Sequence, residues 1–199
     1  MGNIASVRNA LEYLGLQCKI CLNPKEAEGC KRLILPGVGA YPHAMRNIKE
    51  KGWSSLIVES ALEKNLPFLG ICLGMQLMLE SSKEQEECTG LNLVQGTVEP
   101  LINEVKSNRL PHMGWNVLTS IKSSSKLLVQ GSGEQKKDTF YFVHNFYCKL
   151  KEREIVTAKC NYEVEFDAVF EKENLFGCQF HPEKSQGPGF EILKRFSTL

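Results

Sequence analysis

Gly70-Ile71-Cys72-Leu73-Gly74 constrains this chain more than any other stretch. An apolar run, Leu66-Pro67-Phe68-Leu69, leads into it, and Met75-Gln76-Leu77-Met78-Leu79 leaves it with the character of a helix. Where a strand turns at once into a helix, a Cβ beside the turn clashes as the two elements close, and glycine on both sides removes that clash. The residue at the turn is expected to be strained and exposed, its side chain at the helix N-terminus. That is the geometry of a nucleophile elbow, with cysteine in place of serine. Backbone N–H groups at the helix start suit a developing oxyanion, and the same terminus favours thiolate over thiol. Cys72 is therefore the candidate nucleophile.

Free cysteine is also among the most buried residue types, and this chain has eight. A base decides between the two readings. One is offered by Phe176-Gly177-Cys178-Gln179-Phe180-His181-Pro182-Glu183-Lys184-Ser185. In an extended segment residues i and i+2 project to one side, so Glu183 can reach one imidazole nitrogen of His181 while the other faces a nucleophile. Nucleophile, base and orienter then occur in the order Cys72, His181, Glu183. His-Pro-Glu alone is a weak signal and reads equally as a loop with a solvated charge pair. Together with the elbow it is explained better as chemistry.

These two motifs resemble those of the class I, triad-type glutamine amidotransferases. Leu35-Pro36-Gly37-Val38-Gly39, Pro111-His112-Met113-Gly114-Trp115-Asn116, Tyr141-Phe142-Val143-His144 and the run from His181 to Gln186 narrow the resemblance to glutaminase subunits of imidazole glycerol phosphate synthases, of histidine biosynthesis. The Pro-Gly-Val-Gly loop is the most discriminating of these segments. The likeness extends from about Met1 to the C-terminus.

The resemblance implies that Cys72 attacks the side-chain amide carbon of glutamine, and that His181 takes the thiol proton and later gives one to the departing ammonia. Water then hydrolyses the thioester to glutamate. It implies an oxyanion hole made by the backbone N–H of Leu73 and one from the Gly37-Val38-Gly39 loop, where glycines flanking Val38 permit a peptide flip. It places Gln76 and Glu84 on the substrate, with Asn3 and the backbone around Asn145 lining the pocket. Lys184 and Tyr141 fall at an interface with a (β/α)8-barrel cyclase subunit. In that heterodimer ammonia passes through a tunnel to make imidazole glycerol phosphate and AICAR. No cofactor and no metal are implied. Two alternatives share the motifs: a paralogous glutaminase feeding another synthase, such as one amidating a sugar, and a catalytically silent interaction subunit.

Members of this class begin with a short apolar strand and a glycine-rich turn, whereas Met1-Gly2-Asn3 resembles only the end of that turn. About ten residues, one strand and its turn, are expected to be absent. Loss of an inner parallel strand exposes hydrogen-bonding edges and apolar faces, so weak folding or dependence on the partner is expected.

At 199 residues and 42% hydrophobic, the chain suits one α/β domain spanning residues 1–199, and a formal charge of +1 gives no electrostatic case for nucleic acid or membrane. No apolar run approaches the roughly eighteen residues of a membrane span. Eight scattered cysteines read as reduced thiols in a cytoplasmic protein. Cys18 and Cys21 lie in an expected strand on opposite faces, and His112 and His144 share no ligand spacing with a carboxylate or thiol, so neither set suggests a metal. The pattern predicts helices over residues 5–14, 41–49, 53–64 and 190–196, and strands over 17–22, 32–36, 66–71, 93–101, 139–147, 155–160, 166–171 and 175–180. Residues 120–137, rich in Ser, Lys and Gly, read as a mobile surface loop. Early alternation of strand and helix followed by late strands predicts a three-layer, flavodoxin-like α/β fold with a mixed sheet, lacking its first strand and with active residues at the carboxyl ends of the strands.

Overall fold

A computed structural model of the chain describes residues 3–85, 87–106, 109–129 and 138–199. Helix α1 (Ile4–Tyr13) buries Val7, Ala10 and Leu11 on one face, and Gly15, at φ +70°, follows its end in the left-handed position that favours glycine. Strand β1 (Leu33–Gly37) leads through a short loop into α2 (Tyr41–Glu50), and α3 (Trp53–Val58) runs on into a π-turn at Glu59–Glu63. Strand β2 (Phe68–Cys72) turns directly into α4 (Leu73–Leu77), a single short helix followed by β3 (Leu79–Ser82) and β4 (Cys88–Thr89). The remaining strands are β5 (Val94–Pro100), β6 (His112–Thr119), β7 (Thr139–His144), β8 (Phe146–Leu150), β9 (Val156–Tyr162), β10 (Val164–Lys172) and β11 (Leu175–Cys178), and α5 (Gln186–Phe196) closes the chain.

Among the described residues eleven strands join one mixed sheet, ordered β1-β2-β11-β10-β8-β5-β3-β4, with β6 paired to β7 and β9, and β9 paired to β10. Strands β1, β2 and β11 pair in parallel, as do β3 and β5, whereas β10 pairs antiparallel with β11, β9 and β8. Successive residues of β2 alternate between two cores. Leu69 and Ile71 join α1, α5 and Phe176, while Phe68 faces α2, α3 and Leu35. Each large apolar side chain sealed in these layers contributes about 1.5–3 kcal/mol, so both helical layers are needed to hold the sheet. In β10 the register shifts around Asp167, Val169 and Phe170, and the bulge leaves the consecutive residues Ala168 and Val169 both in the first core before Phe170 turns to the second.

The α/β class and the mixed sheet agree with the sequence reading, and several elements differ from it. Residues 17–22 form no strand. They line, with α1, β1, Ile57 and Phe196, a cavity of about 1000 Å³ along the edge of β1 that faces away from β2. A strand exists only when its backbone groups are paired, and here the nearest edge lies across that space. Strand β6 escaped the sequence reading because its inward positions mix His112 and Asn116 with Leu118, while the large apolar Met113 and Trp115 point outward. Its pairing with β7 and β9 supplies what the pattern lacks. The single strand expected over 139–147 is broken at Asn145 into β7 and β8, which pair with different neighbours. Of the expected surface loop, residues 130–137 lie outside those described.

Candidate active site

Cys72 sits at the junction of β2 and α4 with φ 52° and ψ −110°, a backbone conformation costly for any residue with a Cβ. The surrounding glycines are required by space. A Cβ on Gly74 would lie 1.7 Å from the Leu35 carbonyl oxygen, and one on Gly70 would lie 2.7 Å from the Met75 backbone. The elbow therefore forms as its sequence predicts, but its exposure differs. Cys72 is only 6% accessible, because β7 and the segment after β11 close over it. Its Sγ lies 4.0 Å from the Val143 carbonyl and 3.7 Å from Gln179 Nε2.

His181 follows β11 by three residues and is buried, its main-chain N–H donating to the Tyr141 carbonyl at 2.9 Å. Ser185 Oγ donates to the His181 carbonyl at 2.6 Å and accepts from the Tyr141 N–H at 3.0 Å, tying the histidine segment to β7. Glu183 Oε1 lies 2.7 Å from His181 Nδ1. The pair forms through a 3-10 turn at Pro182–Lys184 and not along an extended strand, so the reach is as expected and the backbone is not. Asn3 Nδ2 touches both partners, 3.2 Å from His181 Nδ1 and in contact with Glu183 Oε1. Nε2 of His181 is buried and makes no hydrogen bond of conventional geometry among the described residues. Burial alone would depress this imidazole's pKa, but the neighbouring Cys72 sulfur and the hydrogen-bonded Glu183 carboxylate outweigh it, raising the pKa to about 9.

Beside Cys72, Gly37 is paired in register with it across the β1–β2 ladder, so Val38 and Gly39 begin the loop directly above the elbow. Val38 is 41% exposed, and Gly39 has φ +105° with open space around it. Leu73 opens α4, and no side chain caps that helix start. Gln76 is buried beneath it, with Nε2 donating to the Phe146 carbonyl at 3.0 Å and to Gln179 Oε1 at 3.2 Å. Both of its amide hydrogens are engaged, so what it offers a ligand is its carbonyl oxygen. Glu84 accepts the Tyr41 N–H at 3.0 Å, which places a carboxylate at the first turn of α2 where the loop ends. Asn145 is exposed at the break between β7 and β8, its carbonyl accepting from Leu101 N–H. Lys184 Nζ lies 5.7 Å from the centre of the Tyr141 ring, and that ring packs edge-on against Trp115 at 5.9 Å. Trp115 is 48% exposed and Met113 on the same strand 61%, an apolar surface next to Tyr141 and the His181 segment.

His112 and His144 form a buried pair, Nδ1 to Nε2 at 3.0 Å, with His144 Nδ1 2.8 Å from the Phe146 carbonyl. Burial depresses His112 to about 4 and, with the neighbouring histidines, His144 to about 3, so both are neutral near pH 7. Among the described residues no group of three His, Cys, Asp or Glu is placed to hold a metal ion. Sequence reasoning assigned no role to Gln179 or Ser185, both fully buried. The available signal was a polar side chain between Cys178 and Phe180, in a segment otherwise apolar.

The family model described as Glutamine amidotransferase class-I matches residues 1–198. The imidazole glycerol phosphate synthase subunit HisH of Caldanaerobacter subterraneus subsp. tengcongensis is 44% identical over all of this chain and 94% of that protein. A protein of Campylobacter jejuni named imidazole glycerol phosphate synthase subunit HisH 1 is 43% identical over all of this chain and 96% of its own length. A solved glutamine amidotransferase superposes with a TM-score of 0.74 at 19% identity, covering 98% of this chain and 95% of that one, a likeness of fold.

Proposed function

The chain belongs to the class I glutamine amidotransferases, and from that premise we propose that it is the glutaminase subunit of an imidazole glycerol phosphate synthase, acting in histidine biosynthesis as one domain. The observation that carries this reading is the convergence of Cys72, His181 and Glu183 at the end of two adjacent parallel strands. With its pKa raised to about 9, His181 is protonated at neutral pH and faces Cys72, where an imidazolium favours the attacking thiolate form of the nucleophile. Cys72 attacks the side-chain amide carbon of glutamine. The N–H of Leu73 and one from the Val38-Gly39 loop receive the developing oxyanion, and Gly39, already at φ +105°, has the conformational freedom for that peptide to turn inward. His181 passes its proton to the departing ammonia, Glu183 accepts from the ring's Nδ1–H while Asn3 donates to that carboxylate, and water entering by the same base hydrolyses the thioester. Gln76 and Glu84, with the backbone near Asn145, fit the rim of the glutamine pocket.

Ammonia released to solvent at neutral pH becomes ammonium and is no longer a nucleophile. A docked synthase explains the apolar surface beside the site, where Met113, Trp115, Tyr141 and the Lys184 cation lie together. We assign this surface to a (β/α)8-barrel cyclase subunit in a cytoplasmic heterodimer that carries ammonia internally. No helix among the described residues is long and apolar enough to cross a membrane. The test is glutamate release from glutamine with the cognate cyclase subunit present. Cys72→Ala is expected to lower the rate by roughly 10³-fold or more; equal rates for the two preparations refute the enzymatic reading.

A further inference from the structure

The hydrogen-bond pattern around Cys72 has a fixed direction. The Phe146 main-chain carbonyl can only accept, so the group of Gln76 that meets it at 3.0 Å is its NH₂. That NH₂ also meets Gln179 at 3.2 Å, which makes the Gln179 atom there the carbonyl oxygen and turns the Gln179 NH₂ toward Cys72 Sγ, 3.7 Å away. The same carbonyl takes a second proton from His144 Nδ1 at 2.8 Å. Neutral His144 then accepts at Nε2 from His112 Nδ1, and His112 Nε2 accepts from Asn116 Nδ2 at 3.4 Å. Asn116 is held the same way round by donating to the Asn161 carbonyl at 2.9 Å and accepting from Val117 N–H. Reversing any amide in this chain sets two donors or two acceptors face to face in a buried site.

We propose that Gln179 is a catalytic residue that donates an N–H to the Cys72 sulfur and stabilises its thiolate, with Gln76 and the Phe146 carbonyl fixing the amide's orientation. This deepens the glutaminase reading and rests on it. The donor complements His181: it cannot be deprotonated, and its position depends on a main-chain atom and not on the triad. The ionisable groups that interact with the sulfur are His181, Cys148 and Cys178, and Glu183 and His144 interact with His181 beyond it. Burial drives the Cys148 and Cys178 thiols well above their usual range, so both are neutral near pH 7.

The test follows thiolate absorbance and iodoacetamide alkylation against pH, using the full chain with Cys72→Ala as the blank. Gln179→Met removes the donor at similar volume, and Gln179→Glu keeps the shape but turns an acceptor toward the sulfur. Each is expected to shift the midpoint of thiolate formation upward and to slow alkylation at pH 7 by roughly tenfold or more, as for loss of a hydrogen bond to a charged group. Glutamine turnover should fall in step at neutral pH and recover as pH rises in Gln179→Met, a recovery that general damage to packing does not give. A wild-type midpoint retained in both variants overturns the role of Gln179 while leaving the triad standing. Absence of any Cys72-dependent thiolate in the unsubstituted chain would instead refute the underlying glutaminase reading.

Discussion

His181 concentrates the electrostatics of the site in one ring. Its side chain is buried, a neutral buried imidazole would be the cheaper state, and the protonated form is favoured only by Cys72 on one side and Glu183 on the other. With a folded pKa of about 9 against an ordinary 6.5, the ring contributes stability that is fully present below about pH 6.5 and is lost as pH rises through about 9. Urea unfolding across that range should show the loss, of order a few kcal/mol at most. Glu183→Gln removes one of the two supports, so the imidazole is expected to titrate at lower pH, toward or below 6.5, and the pH dependence of stability to flatten. Titration of the ¹⁵N-labelled ring measures this directly. An unchanged midpoint would mean that the carboxylate only buttresses the ring.

At the scale of elements, the elbow is held by contacts with no slack. Gly74 lies so close to β1 that any Cβ meets the Leu35 carbonyl, and Gly37 lies against Leu73. Gly74→Ala is therefore expected to separate β1 from α4 and to cost at least about 1–3 kcal/mol, seen as a lower urea midpoint together with lost alkylation selectivity at Cys72. Gly187, near the start of α5, has open space for 4 Å around the position a Cβ would take, so Gly187→Ala should be neutral or stabilising by up to about 1 kcal/mol. Equal losses at the two glycines would show that close packing at the elbow is not the cause. Strand β7 does similar positioning on the other side of the site. It brings Tyr141 to the His181 segment and Val143 to the sulfur, although sequence joins none of them.

For the whole molecule, the sheet is unevenly secured. Strand β10 pairs on both sides and sits between the two cores, whereas β1 has β2 on one side and the cavity of about 1000 Å³ on the other. Stability is not uniform through a fold, and segments with unpaired edges open at the lowest cost. Hydrogen exchange is expected to be faster in β1 than in β2 or β10, with residues 17–22 faster still; equal protection of β1 and β2 would contradict this account. The consequence reaches the site, because β1 carries the loop with Val38 and Gly39 above Cys72.

Sequence alone determined the strand-to-helix turn at Cys72 and its flanking glycines, since these depend on local sterics, and it offered Cys72, His181 and Glu183 as residue types whose chemistry is intrinsic; the pairing of β2 with β11 is what brings the histidine segment beside the cysteine. The α/β class followed from hydrophobic periodicity for the same reason. Strand β6, the break at Asn145, the missing ladder at residues 17–22, the burial of Cys72 and the placement of Gln179 became visible only in three dimensions. Each depends on what a distant segment provides: a pairing edge, a covering strand, or a carbonyl such as that of Phe146. A polar side chain in an apolar run gives no sign of which atom it will meet, because burial makes a partner obligatory but only the tertiary fold selects it.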